Sequence, residues 1–356
     1  MLQSMRIKAF RCFEDLELSP LARVNLLAGR NNTGKTAALE ALFLHFGPHN
    51  PELPVRLSVQ RGIERLKVDP DELWGWLFTA KQLERTIELS SLGTDGTTRS
   101  VTLRLALPGS HSVASRPISV GGPDVGAGSL TTANVPAELV IESRIGSSPP
   151  TVSRASIEGG ELKYYPSATV SPVNAVFLST RSRHPAEDAE RFSRLDALGR
   201  QEEVVAPLAA LEPRLRRLAV LVRGGLPMIH GDVGSSELLP LPMMGEGMVR
   251  LLSILLAIAF ARDAVVLVDE VENGLHYSVH RKVWQAIDKA TKDARVQFFA
   301  TTHSLECIRA AHEAFGAAEA NDFRLFRIGE GRHRLEAFAF DRDALGAALA
   351  TDLEVR

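Results

Sequence analysis

The sequence has few of the features that mark secreted, membrane or strongly basic proteins. It contains only two cysteines, Cys12 and Cys307, which excludes a disulfide scaffold and fits a reducing compartment. The longest apolar run, 251–261, is too short to cross a bilayer, and the first residues lack the basic-then-apolar pattern of a secretory signal. A formal net charge of -2 excludes a polycation that binds nucleic acid through its overall field. We therefore expect a cytoplasmic globular protein without a membrane partner.

A glycine-rich segment stands out near the beginning of the chain. The segment GRNNTGKT, residues 29–36, directly follows the apolar run 24–28 and precedes a helical pattern from Lys35 to His45 that Gly47 and Pro48 end. Its glycines let successive amide groups converge on a polyphosphate, and the helix start favours negative charge. The pattern predicts a phosphate-binding loop for ATP and Mg²⁺ that comprises Gly29, Arg30, Asn31, Asn32, Thr33, Gly34, Lys35, Thr36 and Ala37.

Within this loop, two side chains have predicted roles of their own. Lys35 is expected to contact the β- and γ-phosphates and to contribute to catalysis, and the hydroxyl of Thr36 is expected to hold Mg²⁺.

Two carboxylates follow a second aliphatic run. Residues 264–268 are continuously apolar, which predicts a buried parallel strand, and Asp269 and Glu270 come directly after it. Ligands bind at the carboxyl ends of such strands. We therefore expect Asp269 to bind the metal, and Glu270 to act as the general base that activates water for attack on the γ-phosphate.

A third apolar strand, predicted for 296–300, ends in Thr301, Thr302 and His303. Because the carboxyl ends of parallel strands meet at one edge of the sheet, His303 is expected near the γ-phosphate, where it senses the third phosphate. The sequence therefore predicts a nucleotide site built from three strand ends. Roughly 230 residues separate the first motif from the second, so a substantial segment is inserted between them.

These motifs resemble the ABC-type ATPases of the structural-maintenance-of-chromosomes (SMC), RecF and OLD group, and are close to predicted single-chain OLD-related ATPases that lack a Toprim domain. The opening segment 5–18 resembles the first strand pair of that group, which makes Arg11 a candidate arginine for the nucleotide of its own chain. The segment 272–276 resembles the loop that crosses the dimer interface, and with it Asn273 becomes a candidate nucleotide contact. The resemblance implies ATP hydrolysis in a head-to-tail homodimer.

The segment 241–260 resembles the signature motif and helix of the group, although the usual serine is not evident. Gly245, Glu246 and Gly247 lead into an apolar helix from about Met248. The first amide groups of a helix have no partner within it, so this helix start is expected to bind an anion whatever the family. In the family, this helix start meets the phosphates held by the opposite subunit. A plain buried helix with a glycine hinge is the alternative interpretation.

The fold class predicted is α/β, a P-loop NTPase with an ABC-type head, an antiparallel β subdomain and a short helical arm. The expected domains are 1–60, the first part of the head; 61–180, a β-rich subdomain with a flexible loop at 110–135; 181–226, the arm; and 227–356, the rest of the head. Strands are predicted at 137–143, 153–165 and 174–179, and a hairpin within 86–107 turns at Gly93 to Gly96. Gln82 is a candidate metal contact in the subdomain.

The helical arm predicted from 186 to 222 carries an arginine cluster that could contact DNA or RNA phosphates, although interspersed acidic residues make a solvated surface an equal alternative. The cluster comprises Arg181, Arg183, Arg191, Arg194, Arg200, Arg214, Arg216, Arg217 and Arg223. Only about fifty residues follow His303, which predicts a final strand pair at 323–328 and 335–340 and leaves no room for a Toprim nuclease.

The function predicted is an ATP-hydrolysing dimeric switch, the ATPase of a defence system against phage or plasmids that controls a separate effector protein. Two alternatives stay open at this stage. One is a RecF-like ATPase of DNA repair or recombination, and the other is a nucleotide-gated scaffold with negligible hydrolysis.

Overall fold

The computed structural model describes residues 1–63, 67–106, 137–167, 175–180, 185–316, 322–332, 334–351 and 353–356. The loop predicted at 110–135 lies outside them. The strands are β1 (Leu2–Phe10), β2 (Phe13–Leu18), β3 (Val24–Ala28), β4 (Ile87–Gly93), β5 (Thr98–Ala106), β6 (Ala137–Ile145), β7 (Thr151–Glu158), β8 (Glu161–Tyr165), β9 (Ala175–Leu178), β10 (Arg217–Arg223), β11 (Leu226–Asp232), β12 (Leu239–Pro240), β13 (Val265–Val268), β14 (Gln297–Thr302), β15 (Phe323–Glu330) and β16 (Leu335–Phe340). The helices are α1 (Lys35–Phe46), α2 (Leu53–Gln60), α3 (Pro70–Trp74), α4 (Pro185–Ala197), α5 (Glu202–Ala209), α6 (Glu246–Phe260), α7 (His280–Ala294), α8 (Leu305–Ala314) and α9 (Arg342–Ala350).

The central sheet has six strands in the order β16-β15-β3-β14-β13-β9. All its pairs are parallel except β15 with β16. Every residue of β3 and β13 is buried, because helices or the second sheet cover both faces. The strands predicted at 24–28, 264–268 and 296–300 are confirmed as β3, β13 and β14, within two residues at each end.

A second sheet is antiparallel, with seven strands in the order β2-β1-β4-β5-β6-β7-β8. It confirms the opening strand pair and the hairpin around 93–96. The single strand predicted at 153–165 is wrong, because Gly159 and Gly160 take positive φ values of 61° and 82° and turn the chain between β7 and β8. The strand predicted at 174–179 does form, as β9, but it pairs in parallel with β13 in the central sheet rather than joining the subdomain.

Helix α1 lies between the two sheets and starts directly at the glycine-rich loop. Most of its residues are buried, including Leu39 and Leu42, and it ends at Phe46 with Gly47 as its cap, as predicted. The apolar side chains form two cores. In β3, Leu26 packs into the core beneath α4 to α9, whereas Leu27 packs into the core around α1, since successive strand residues face opposite sides. Together the sheets hold the start of α1 rigidly.

The predicted helical arm is confirmed in its first half, as α4 and α5, and wrong in its second half. Helices α4 and α5 pack on the head, because Phe192, Leu195 and Leu208 are buried in the core against α6. Residues 217–223 form β10, which pairs antiparallel with β11 around a turn at Gly224 and Gly225. The alternating aliphatic residues here suit a half-buried strand better than a helix.

The arginines of this region largely have nearby acidic partners. Within the described residues, exposed ion pairs join Arg191 to Glu187, Arg194 to Glu190, Arg200 to Glu203 and Arg214 to Glu212. This local neutralisation favours the solvated surface over a dedicated phosphate-binding patch. Arg181 and Arg183 lie outside the described residues. Where the chain is described, none of its helices combines the length and the apolar character needed to span a bilayer.

Candidate functional site

The loop 29–36 connects β3 to α1, and two of its glycines are required by their surroundings. Gly29 and Gly34 have φ values of 155° and 87°, in the region that side chains disfavour. A Cβ on Gly29 would lie 2.5 Å from the carbonyl oxygen of Ile328, and one on Gly34 would lie 2.5 Å from Sγ of Cys12. Only glycine lets the loop pack this closely between its neighbours while its amide groups line the cleft.

Lys35 is positioned inside the curve of this loop. Its Nζ donates hydrogen bonds to the carbonyl oxygens of Gly29, at 2.6 Å, and Arg30, at 2.8 Å. Burial lowers the pKa of Lys35, and the nearby carboxylates of Asp269, Glu270 and Glu272 oppose that shift. The ammonium group is therefore a partly desolvated cation next to the loop amides, as a phosphate contact requires.

Thr36 meets Asp269 across the gap between α1 and β13. The Thr36 hydroxyl lies 3.0 Å from Oδ1 and 3.1 Å from Oδ2 of Asp269. Asp269 is 6% exposed, and its backbone amide donates to the carbonyl of Leu178 at the end of β9. A hydroxyl and a carboxylate are hard oxygen ligands of the kind that Mg²⁺ prefers, so these two residues would fit a Mg²⁺ ion.

Thr301 joins the two carboxylates, although the sequence interpretation gave it no role. Its hydroxyl donates to Oδ1 of Asp269 at 2.6 Å and accepts from the backbone amide of Glu270 at 2.7 Å. Glu270 has a positive φ of 48°, and Arg250 of α6 donates to the carbonyl oxygens of both Asp269 and Glu270. These bonds hold a strained turn that presents the Glu270 side chain to the cleft.

His303 lies beside this turn, and a further carboxylate holds it. Oε1 of Glu272 accepts from the Thr302 hydroxyl at 2.7 Å and from the His303 amide at 2.9 Å, and it lies 3.3 Å from Nδ1 of His303. Glu270 Oε1 is 4.0 Å from the same nitrogen. Glu272 was therefore missed as a site residue. The sequence feature that could have indicated Glu272 is an acidic residue two positions after Glu270, within the segment that resembles the interface loop.

Arg11 lies on the cleft wall, and its guanidinium contacts Glu40 of α1. The Nε atom of Arg11 is 2.7 Å from Oε2 of Glu40, and Arg61, also missed by the sequence interpretation, forms a bidentate pair with the same buried carboxylate. Burial lowers the pKa of Arg11, and the charge of Glu40 opposes this. Both guanidinium groups line the cleft, and their positive charge suits an anionic ligand.

A single open cleft of about 1080 Å³ brings most of the predicted residues together. It is lined by Arg11, Asn31, Asn32, Gly34, Lys35, Thr36, Ala37, Asp269, Glu270 and Thr301, together with a second group formed by Cys12, Arg61, Ile63, Trp76, Phe78, Ala80 and Lys81. Arg30 and Thr33 lie at the outer side of the loop, where Arg30 contacts Glu354 and the Thr33 hydroxyl donates to the carbonyl of Arg30.

Gln82 is not among the described residues that line this cleft, so its metal contact stays a prediction. Its side-chain oxygen accepts a hydrogen bond from Arg85 at 3.2 Å. Strand β9 places Ser179 next to the backbone of Asp269, since Leu178 pairs with Val268, and Ser179 lines a cavity separate from the cleft. The sequence interpretation had placed this strand in the other sheet.

The signature segment lies apart from the cleft of its own chain. Helix α6 begins at Glu246, two residues before the predicted start, and Gly245 precedes it with a φ of 110°. Gly247 packs against the backbone of Gly274, next to Asn273. Glu246 and Asn273 line a different cavity, of about 220 Å³, rather than the phosphate cleft. One chain therefore does not bring Gly245, Glu246, Gly247 or Asn273 to the loop 29–36.

Comparisons with known proteins agree with this geometry. A family model described as "AAA domain, putative AbiEii toxin, Type IV TA system" matches residues 153–309, and a second, described as "AAA domain", matches residues 4–105. A Helicobacter pylori protein named ATP/GTP phosphatase is 24% identical over 328 residues, which is 86% of each chain.

Among solved structures, an SMC head bound to the C-terminal winged-helix domain of ScpA covers 96% of this chain and 97% of its own, with a TM-score of 0.50 and 12% identity. An SMC head with an extended coiled coil, bound to the C-terminal domain of Pyrococcus furiosus ScpA, covers 99% of each chain with a TM-score of 0.48 and 12% identity. The fold is that of an ABC-type ATPase head, as the sequence predicted, and the two AAA models support a P-loop ATPase that binds ATP.

Proposed function

We propose that this protein hydrolyses ATP as a dimeric molecular switch. The observation that carries the proposal is the convergence of Lys35, Thr36, Asp269 and Glu270 on one cleft at the ends of β3 and β13. Such a set provides a phosphate contact, a metal site and a general base within one site. The name of the Helicobacter pylori relative, ATP/GTP phosphatase, supports hydrolysis over binding alone.

Each residue has a role that its contacts support. Lys35 would exchange its bonds with the loop carbonyls for bonds with the β- and γ-phosphates. Thr36 and Asp269 would hold Mg²⁺, which neutralises charge on the phosphates when bound. The Glu270 carboxylate would take a proton from the attacking water, and His303, held by Glu272, would contact the γ-phosphate. Arg11 would add positive charge at the cleft wall.

The separation of the signature segment from the phosphate cleft supports the dimer. Gly245 to Gly247 form an accessible helix start that is not among the described residues lining the phosphate cleft of the same chain. In a head-to-tail dimer, this helix start and Asn273 would complete the site of the partner, so two nucleotides would be enclosed at two shared sites. Hydrolysis would then release the two heads from one another.

The description of the first family model, which names a toxin and a toxin–antitoxin system, supports a place in defence against phage or plasmids. In that setting the switch would control a separate effector protein. Co-purification from the native operon tests this, since a neighbouring gene product that never associates, with or without ATP, would contradict it. A RecF-like repair ATPase would instead show marked stimulation of turnover by gapped or duplex DNA.

Substitution Glu270→Gln tests the hydrolytic switch itself. Loss of the general base should lower kcat by about 10²- to 10⁴-fold while ATP binding persists, so the variant should accumulate as an ATP-bound dimer by size-exclusion chromatography with light scattering. Unchanged turnover, or a wild-type protein that stays monomeric with a non-hydrolysable analogue, would overturn the proposal. A nucleotide-gated scaffold would show negligible turnover in both proteins.

A further inference from the structure

An exposed tryptophan lines the same cleft as the phosphate-binding loop. Trp74 and Trp284 are fully buried, whereas Trp76 is 53% exposed. Trp76 forms part of the cleft wall together with Lys35, Thr36 and Asp269, in the group that also contains Ile63, Phe78 and Lys81. A large aromatic surface left open to solvent within a ligand cleft is typical of a contact surface for a ligand.

The backbone places Trp76 beyond the end of the phosphate loop. The turn at Arg11 and Cys12 contacts Gly34 on one side, since Sγ of Cys12 lies against its Cα. On the other side, the amide of Arg11 donates to the carbonyl of Leu77 at 2.7 Å, and Phe10 pairs with Phe78. The turn therefore lies between the loop and the segment 76–78, and a nucleotide whose phosphates occupy the loop would extend its nucleoside along this turn.

The indole of Trp76 is held in place by a charged neighbour. Nζ of Lys81 lies 4.0 Å from the centroid of the ring, and the same ammonium forms an ion pair with Asp71 at 2.7 Å. Ala80 and Lys81 have positive φ values of 51° and 55°, an unfavourable conformation for two successive residues with side chains. The loop thus carries backbone strain that places Lys81 on the ring and leaves the remaining indole surface to the cleft.

We propose that Trp76 is the platform on which the base of the nucleotide stacks, and that Lys81 fixes the orientation of its ring. The inference rests on the proposed nucleotide hydrolysis and adds base recognition to that site. Stacking tolerates every base, because each has a π face. The described lining residues nearest to Trp76 in the chain, Phe78, Ala80 and Lys81, carry no amide or carboxylate to read a base edge, and the carboxylate of Asp71 is paired with Lys81. The substrate class is therefore nucleoside triphosphates without base selection, with ATP and GTP accepted alike.

Intrinsic fluorescence of the full chain tests the stacking directly, because Trp76 is the solvent-exposed tryptophan among three. ATP and GTP with Mg²⁺ should both change this emission, whereas inorganic tripolyphosphate, which carries phosphates without a base, should bind without changing it. Trp76→Ala should raise KM for ATP and for GTP by about tenfold, with a smaller effect on kcat and no effect on tripolyphosphate affinity. Trp76→Leu, which keeps the apolar bulk, should lose affinity similarly, and Trp76→Phe should restore most of it.

Tyr165→Ala is a matched control, since it removes an exposed aromatic ring from β8, outside the cleft. If the wild-type protein hydrolyses ATP and the KM for ATP is unchanged in Trp76→Ala and Trp76→Leu, the stacking platform is overturned while the proposed hydrolysis stands. A large KM difference between ATP and GTP would overturn the base tolerance. A wild-type protein that binds no nucleotide would overturn both the platform and the proposed function.

Discussion

His303 lies closer to Glu272 than to Glu270, since its Nδ1 is 3.3 Å from Oε1 of Glu272 and 4.0 Å from Oε1 of Glu270. Glu272 is 9% exposed, and the same Oε1 atom also accepts from Thr302 and from the His303 amide. Glu272 is thus tied to the backbone as well as to the ring. Glu270, by contrast, is left with its carboxylate available to a water in the cleft.

This arrangement predicts different consequences for the two glutamates. Glu272→Gln should lower kcat by about tenfold, because a neutral amide holds the His303 ring less firmly than a carboxylate does. Glu270→Gln should lower kcat far more. Steady-state phosphate release measures both effects, and nucleotide affinity by titration calorimetry should change little in either variant. Equal losses in the two variants would contradict the assignment of Glu272 as a positioning residue.

A second prediction concerns Thr301, which is fully buried and joins Asp269 to the amide of Glu270. Thr301→Val keeps the shape but leaves the Glu270 amide without its acceptor and removes one of the two hydroxyl groups that donate to Oδ1 of Asp269. The free energy of unfolding should fall by about 1–3 kcal/mol, and kcat should fall because the strained Glu270 turn loses a support. Urea unfolding and phosphate release test this. Thr151→Val, on the periphery of the antiparallel sheet, is a control that should leave kcat unchanged.

The sequence predicted the strand that carries Thr301, but it did not predict the hydrogen bonds of the Thr301 side chain. Continuous aliphatic runs with clear ends predicted β3, β13 and β14, and the parallel arrangement then implied that their carboxyl ends meet. The bonds of Thr301 and Glu272 join residues about thirty positions apart, so they depend on the sheet register, which no local pattern gives. The sheet that contains β9 was mispredicted for the same reason, because its pairing with β13 depends on that register.

A third prediction concerns pH and the buried His45 of α1. Burial, with a smaller effect of Arg99, lowers the pKa of His45 to about 3, and its Nε2 lies 2.8 Å from the Ser91 hydroxyl. Below about pH 6.5 this ring is protonated in the unfolded chain, whereas in the folded chain it stays neutral until the pH approaches about 3. The free energy of unfolding therefore falls as the pH falls from about 6.5 towards about 3.

His45→Gln removes this titration while it can still form a hydrogen bond with Ser91. Between about pH 7.5 and about pH 5.5, the wild type should lose about 1 kcal/mol more of its unfolding free energy than the variant. Urea unfolding at the two pH values provides the comparison, in which the other titrating groups cancel. Parallel losses in the two proteins would show that His45 is protonated in the folded state.

A final prediction tests whether two chains share each site. In a head-to-tail dimer, the loop with Lys35 comes from one chain and the helix start at Gly245 comes from the other. Lys35→Ala should abolish the phosphate contact, and Gly245→Asp should place a carboxylate where a phosphate is expected, so each variant alone should hydrolyse little ATP. When the two are mixed, heterodimers regain one intact site, and activity should rise to about a quarter of the wild-type value.

The control for this experiment is a mixture of two single variants, Lys35→Ala and Glu270→Gln. Lys35 and Glu270 line the same cleft of one chain, so their heterodimers contain no intact site and the mixture should stay inactive. Recovery in the first mixture but not in the second would therefore separate a partner contribution from Gly245 from a nonspecific effect of association. If both mixtures stay inactive while heterodimers form, the helix start of α6 does not complete the partner's site, and each head works with its own residues alone.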